Sequence, residues 1–284
     1  MFNFFAARSF LTNPMRAIAL GLWLWSGVGA SMNVQAKPID HQYSAWDSLS
    51  KAHVVWLSDQ KQSRTDYAGM QSERAKLQQV LVDFSEVTQA EFDQWKPVQQ
   101  VAFLINAYNA FTVELILGKY PDLNSIKDLG SLIQSPWKKK FFTLLGEKRN
   151  LDWIENDMLR ARYQDPRIHV GINCASIGCP ALRNEAFTPA KLDAQLNDSF
   201  ARFVGDTTRN RYADGKLQVS EIFKWFSADF DKGNQGFKQV GDVFARYATL
   251  LSPDAAAQSK IAAKAVPITY LPYDWKLNDV DRKK

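Results

Sequence analysis

The chain has few of the side chains that most often bind metals. Its 284 residues include two cysteines and three histidines. Both cysteines and one histidine lie in a single segment, residues 167–180. Two cysteines and one histidine are too few for a closed tetrahedral zinc site, and their spacing matches no familiar zinc pattern. We therefore expect no metal and no other cofactor.

A strong excess of one charge is also absent. The sequence has 35 lysines and arginines against 30 acidic residues, and its basic residues are scattered, with a short run at residues 138–140. A surface that binds nucleic acid concentrates lysine and arginine on one face. We interpret these charges as a solvated surface and expect no nucleic-acid partner.

Long hydrophobic runs are missing outside the N-terminal region. There, Arg8 and Arg16 precede an apolar run at 17–30, and a small-x-small pattern ends at Ala36. About 14 apolar residues are too few for the ~20 that a membrane-spanning helix needs. The pattern predicts a signal peptide of residues 1–36. We expect the mature protein to be periplasmic or secreted, without stable membrane insertion after cleavage.

The remaining residues, 37–284, show no internal repeat, no low-complexity linker and no convincing domain boundary. Helical patterns dominate, and strand patterns follow in the second half without regular β-α alternation. That arrangement is typical of an α+β protein. We predict a single helix-rich domain with a small, mainly antiparallel or mixed sheet.

Four local patterns support this fold class. Apolar spacing predicts a helix over 72–86 and another over 151–162. Pro97 suits the first turn of a long helix that ends near Leu117. Asp214 and Gly215 form a two-residue hairpin signal. Alternating Ile168, Val170 and Ile172 predict that residues 167–173 form a strand of the small sheet.

The long helix has two amide side chains on an otherwise apolar surface. A helix that is apolar nearly all round is predicted to be buried. Asn106 and Asn109 are three residues apart and therefore face the interior side by side. Buried amides need partners, because an unpaired one costs about 1–3 kcal/mol. Two interpretations stay open: they fasten neighbouring backbone, or they orient a histidine or a substrate carbonyl.

Six motifs in order resemble the domain of unknown function 547 family. The match runs from about residue 60 to residue 278. The resemblance implies an α+β unit, either exported or associated with other domains, and implies no particular activity. The motifs are FLINAYNA at 103–110, SIKD at 125–128, DPRIH at 165–169, SIGCP at 176–180, IFKWF at 222–226 and YDWKLN at 273–278.

Three interpretations compete for the cysteines. Cys174 and Cys179 are five residues apart across a glycine-containing turn, so in an exported chain they can form a structural disulfide. Alternatively, Cys174 is a thiol nucleophile activated by His169. His169 and Cys174 are also five residues apart, and in a continuous strand this odd separation would place their side chains on opposite faces. Metal binding is the third and weakest interpretation, and two unpaired, redox-active thiols are a further alternative.

His169 is the other candidate. A histidine with amide and carboxylate partners is a suitable general base. We expect Asn106, Asn109 or Glu155 to approach it if the elements that carry them pack together. The alternative is a core histidine that is merely satisfied by hydrogen bonds.

Two functional hypotheses follow. The first is an envelope hydrolase or acyl transferase acting on peptides or amides, with His169, Asn106, Asn109, Glu155 and Cys174 as candidate catalytic residues. The second is a non-catalytic module that binds an envelope protein, a peptide, a small molecule or a cell-wall component through its tryptophans.

Overall fold

The computed structural model describes residues 38–131 and 133–280. The predicted signal peptide lies outside the described residues. Within them, many helices surround three sheets of two or three strands each, which confirms the α+β class.

The helices are mostly short, and one of them dominates the core. The first five α-helices are α1 (Ser44–His53), α2 (Tyr67–Ser72), α3 (Arg74–Glu86), α4 (Gln89–Asp93) and α5 (Pro97–Leu117). Three 3₁₀ turns (Ile126–Leu129, Pro136–Lys138 and Asn234–Gly236) and a π-helix (Trp153–Tyr163) interrupt the α-helical pattern. The later α-helices are α6 (Ile168–Gly171), α7 (Leu192–Val204), α8 (Ile222–Trp225), α9 (Ser227–Phe230), α10 (Val240–Arg246), α11 (Ala248–Leu251) and α12 (Ala255–Ala262).

The sheets are small and local. Strands β1 (Val54–Trp56) and β2 (Ser63–Thr65) form one antiparallel hairpin, and β3 (Phe142–Leu144) and β4 (Glu147–Arg149) form a second. The third sheet is mixed: β5 (Arg211–Ala213) pairs antiparallel with β6 (Lys216–Ser220), and β6 pairs parallel with β7 (Ile268–Leu271). The hairpin predicted at residues 214–215 joins β5 to β6, with φ of 52° at Asp214 and 71° at Gly215.

Helix α5 has the bounds that the sequence predicted. Lys96 precedes it, Pro97 lies in its first turn, where a missing N–H costs nothing, and Gly118 ends it. Its 21 residues are long and apolar enough to cross a membrane, yet 89% of its most apolar stretch is buried inside the protein. It is therefore the central helix of the larger apolar core, packed against α3 and the π-helix.

The strand predicted over residues 167–173 is wrong. Residues 168–171 form the short helix α6, which begins after Pro166, and the Ile172 N–H donates to the Ile168 carbonyl at 3.1 Å. Upstream, the Asp165 carboxylate accepts the Arg167 N–H at 2.9 Å. The whole segment is buried, so its alternation of apolar and polar residues does not mark an inner and an outer face. A period of two predicts a strand only where one face meets water.

Candidate functional site

A pocket of about 400 Å³ opens beside helix α6. Most of its lining side chains are polar or aromatic, and the two kinds are interleaved, since Phe226 lies against both His169 and Arg160. The polar residues are Ser135, Asp152, Glu155, Asn156, Arg160 and His169, and the aromatic residues are Tyr108, Trp137, Trp225, Phe226, Tyr273 and Trp275.

The π-helix and the residue before it supply most of the polar residues of the pocket. Three of them recur every four positions: Asp152, which lies just before the first residue of the helix, Asn156 and Arg160. They are linked along the helix, and Asn156 Nδ2 donates to Asp152 Oδ1 at 2.9 Å. The Arg160 guanidinium donates to Asn156 Oδ1. The wider winding of a π-helix holds such a row, together with Glu155, on one side, and π-helical turns are frequent at functional sites.

His169 forms a hydrogen bond with a carboxylate that the sequence did not link to it. Its Nε2 lies 2.8 Å from Oδ2 of Asp229, in helix α9, and its ring stacks on Phe226 with the ring centres 4.0 Å apart. Both side chains are almost fully buried, with 3% of His169 and 9% of Asp229 exposed. The imidazole is thus held in a single orientation by a hydrogen bond and by an aromatic face.

The carboxylate of Asp229 is held in its charged form. Burial alone would raise its pKa, but the hydrogen bonds from His169 and Arg160, together with their charges, outweigh burial and keep the pKa well below its usual range. Arg160 Nε donates to Asp229 Oδ2 at 2.6 Å, and Lys232 Nζ lies 3.5 Å from Oδ1.

This charge state fixes the tautomer of the neutral imidazole. An ionised carboxylate only accepts hydrogen bonds, so Nε2 of His169 carries the proton toward Asp229. Nδ1 then has the free lone pair, and it makes no hydrogen bond within the described part of the chain. His169 therefore presents an oriented base in the pocket wall.

Glu155 faces the same pocket in a different state. Burial raises its pKa, and the nearby charge of Asp152 adds to this, while the positive charges of His169 and Arg160 act against it. The hydroxyl of the buried Tyr108 lies 3.4 Å from Glu155 Oε2. The pKa of Asp229 is lowered while that of Glu155 is raised, and such a divergence of two carboxyl groups characterises acid–base sites.

Asn106 and Asn109 lie outside the pocket. Asn106 exchanges two hydrogen bonds with the backbone of Phe187, at 2.7 and 3.0 Å. Asn109 Nδ2 donates to the Gly171 carbonyl at 2.9 Å, and its Oδ1 accepts the Asn173 N–H at 2.8 Å. Each amide donates one hydrogen bond to the backbone and accepts one from it. The two side chains therefore hold adjacent backbone segments in place, and Asn109 fixes the end of helix α6.

The two cysteines form a disulfide bridge, with their Cα atoms 6.2 Å apart, and the described residues include no free cysteine. Both cysteines line the pocket. A bridged Cys174 has no thiolate to act as a nucleophile. The helical turn at 168–171 brings His169 and Cys174 to one cavity, where a strand would have separated them.

Sequence reasoning missed Asp229 and Arg160 as site residues. Asp229 lies 60 residues beyond His169, in a helix of only four residues. Arg160 looks like a solvent-facing charge if residues 151–162 form an ordinary α-helix. No local signal marked either residue. Trp225 and Trp275 are among the tryptophans on which the binding-module hypothesis depends, and they stack on each other in the folded chain.

Within the described residues, no group of three or more His, Cys, Asp or Glu side chains is arranged to hold a metal ion.

The fold and the pocket together define a helix-rich α+β protein with a His–Asp pair in an aromatic-lined cavity. Residues 92–204 match the family described as "Protein of unknown function, DUF547", which confirms the resemblance over that stretch. The match includes Glu155, His169 and the disulfide, whereas Asp229 and the C-terminal aromatic residues lie beyond it. No curated protein and no solved structure matches the chain.

Proposed function

We propose that the pocket is the active site of an exported hydrolase, or acyl transferase, that acts on peptide or amide bonds of the cell envelope. The observation that carries this proposal is that a histidine bonded to a carboxylate and a second carboxyl group with a raised pKa line one cavity. Asp229 orients His169, and Glu155 shares the cavity.

The base acts first. Nδ1 of His169 takes a proton from a water molecule, whose oxygen attacks the substrate carbonyl. The imidazolium that forms is stabilised by the Asp229 carboxylate at Nε2. A positioned general base of this kind contributes about 10²–10⁴-fold to the rate.

The acid completes the reaction. Protonated Glu155 donates its proton to the leaving amine, and the proton held on His169 then restores Glu155 through water. Arg160 uses Nε for Asp229 and Nη1 for Asn156, so the N–H groups of Nη2 are available to a developing oxyanion. For acyl transfer, an amine takes the place of water.

The aromatic residues of the pocket suit the rest of the substrate. Trp137, Trp225 and Trp275 line the pocket, and tryptophan combines a large apolar face with an N–H that donates hydrogen bonds. A peptide segment that extends beyond the polar residues would therefore meet tryptophan rings on which it can stack.

A panel of peptide amides, including cell-wall peptides, tests the proposal through the amino groups that each member releases. We expect wild type to cleave at least one member, and Glu155→Gln to lower that rate by about 10²-fold or more. Glu147→Gln is the matched control, because Glu147 lies on strand β4 with 68% of its side chain exposed. Folded wild type that cleaves no member, or equal loss in both variants, would contradict the proposal.

A non-catalytic binding module is the second candidate, and one observation favours it. Trp225 is 42% exposed and stacks on Trp275 at 5.7 Å between ring centres, which leaves an aromatic surface at the pocket mouth. If the panel peptides bind wild type and Glu155→Gln equally, are not cleaved, and lose binding in Trp225→Ala, the module is the correct interpretation.

A further inference from the structure

The disulfide in the pocket wall is asymmetric. Cys179 is buried, with 5% of its surface exposed, whereas Cys174 is partly exposed. Both residues line the cavity. Of the two residues, Cys174 is therefore the more accessible to a thiol that enters the pocket.

Hydroxyl groups lie beside both sulfurs, but a backbone N–H donates to that of Cys179. The Cys174 N–H donates to Cys179 Sγ at 2.9 Å. The hydroxyl of Tyr273 lies 3.1 Å from Cys174 Sγ and 3.2 Å from Cys179 Sγ, and Ser176 Oγ lies 3.7 Å from Cys174 Sγ. Such bonds strengthen when the acceptor becomes a thiolate, because charge-assisted hydrogen bonds are about twice as strong as neutral ones. Cys179 is thus the better leaving group of the two.

The loop that carries the bridge is also held by other bonds. The backbone N–H groups of Ile177 and Gly178 donate to the carbonyls of Lys276 and Asp274, both at 2.8 Å. The Asn278 N–H donates to the Ala175 carbonyl at 3.1 Å. A Cβ on Gly178 would come within 2.8 Å of the Tyr273 ring, so loop and ring are in close contact. Opening the bridge would leave both sulfurs near their present positions.

We propose that this bridge is a thiol–disulfide exchange site for cysteinyl thiols of peptides. A substrate thiolate attacks Sγ of Cys174, an S–S bond forms between them, and the Cys174–Cys179 bond breaks. Its electron pair goes to Cys179, which leaves as a thiolate bonded by Tyr273 and the Cys174 N–H. A second substrate thiolate then attacks the substrate sulfur of the mixed disulfide, the bond to Cys174 breaks, and its electron pair goes to Cys174. The two protein thiolates take up the two protons that the substrate thiols released. The substrate pair is oxidised to a disulfide, and the protein is reduced by two electrons to a dithiol.

The inference does not depend on the proposed hydrolysis, because neither His169 nor Glu155 takes part in a bond-making step. The chemistry does not distinguish a free tripeptide thiol from a cysteine in an unfolded polypeptide, since both present the same group. If the bridge has only a structural role, we expect the opposite behaviour: it exchanges slowly, and neither sulfur is preferred.

Two single variants separate these interpretations. Cys179→Ser leaves the more accessible thiol and Cys174→Ser leaves the buried one. Each is mixed with oxidised glutathione, and mass spectrometry follows the mixed disulfide. We expect Cys179→Ser to be modified at least about tenfold faster than Cys174→Ser, because exposure controls thiol reactivity. Equal rates, with circular dichroism showing both variants folded, would overturn the assignment.

Tyr273→Phe tests the leaving group and keeps the ring that packs on Gly178. Without the hydroxyl, the Cys179 thiolate is a poorer leaving group, so reduction of the bridge by glutathione should slow by about threefold or more. Tyr270→Phe is the matched control, since Tyr270 is 41% exposed on strand β7. An unchanged rate in Tyr273→Phe, or an equal slowing in both variants, would overturn the role of the hydroxyl.

Wild type also distinguishes the two sources of thiol. It is mixed with reduced glutathione in one arm and with a reduced, unfolded protein in the other, and free thiols are counted over time. Faster oxidation of the unfolded protein identifies polypeptide cysteines as the substrate, and faster oxidation of glutathione identifies the free peptide. Oxidation of neither overturns the proposal.

Discussion

At the scale of single residues, the site depends on two carboxyl groups that behave differently. Asp229 is buried but receives hydrogen bonds from His169 and Arg160, so it stays ionised. Glu155 has one long contact from Tyr108 and a like charge nearby, so burial prevails and its pKa rises. The difference lies in the hydrogen-bond partners of each group, which the sequence does not show.

Asp229→Asn should destabilise the protein at neutral pH. Because its folded-state pKa is depressed, the wild-type carboxylate contributes stability that is present above its ordinary pKa, near 4, and lost as the pH falls toward the folded value. We expect the free energy of unfolding to fall by about 2 kcal/mol at pH 7 and by less at pH 3. Urea denaturation at both pH values measures it, with Asp93→Asn, at an exposed position of helix α4, as control. A loss of the same size at both pH values would contradict this charge state.

Glu155→Gln should show the opposite pH dependence. A raised folded-state pKa means that the native protein binds more protons than the unfolded chain as the pH rises above about 4.3, so wild type loses stability there. The variant has no such proton to lose. Thermal melts from pH 4 to pH 8 should therefore show the variant gaining stability relative to wild type. A constant difference across that range would show that burial does not raise this pKa.

At the scale of elements, local signals predicted what local interactions determine. Helices α3 and α5 follow apolar spacing and a proline in the first turn, both visible in the chain. The prediction of a strand over 167–173 failed because that segment is buried on all sides. Its alternation of apolar and polar residues therefore does not distinguish an inner face from an outer one. The π-helix was predicted as helix, but its winding depends on tertiary contacts that periodicity does not record.

Asn109→Ala tests the link between helix α5 and helix α6. Removing the amide leaves the Gly171 carbonyl and the Asn173 N–H buried without their partner. We expect a loss of about 3 kcal/mol in the free energy of unfolding, since each orphaned group costs about 1–3 kcal/mol. Gln79→Ala, on the exposed face of helix α3, should change it by less than about 0.5 kcal/mol. Similar losses from both variants would mean that Asn109 does not fasten helix α6.

At the scale of the whole molecule, distant segments build the pocket. The π-helix, helix α6, the disulfide loop, helix α8 and the C-terminal strap at 273–278 all contribute to it. The sequence placed His169 and Glu155 among the candidates because a histidine with a carboxylate partner suits a general base. It could not place Asp229, since His169 and Asp229 are 60 residues apart and meet only in the folded chain.

The bridge should stabilise the whole molecule modestly. The double variant Cys174→Ser/Cys179→Ser should stay folded, because backbone bonds to the C-terminal strap hold the loop. Its free energy of unfolding should be lower than that of wild type by about 2 kcal/mol, the value that the chain-entropy model gives for so short a loop. Denaturation of both proteins without reductant measures the loss. An unfolded double variant would show that the loop depends on its bridge.

The most direct test of the central claim compares two histidines that both pair with a carboxylate. His169 pairs with Asp229 in the pocket, and His53 pairs with Glu73 outside it, at 2.9 Å. With a peptide amide that wild type cleaves, we expect His169→Gln to lower kcat by about 10²-fold or more and His53→Gln to leave it unchanged. Equal rates in wild type and a folded His169→Gln variant would contradict the claim that His169 is the base of an active site.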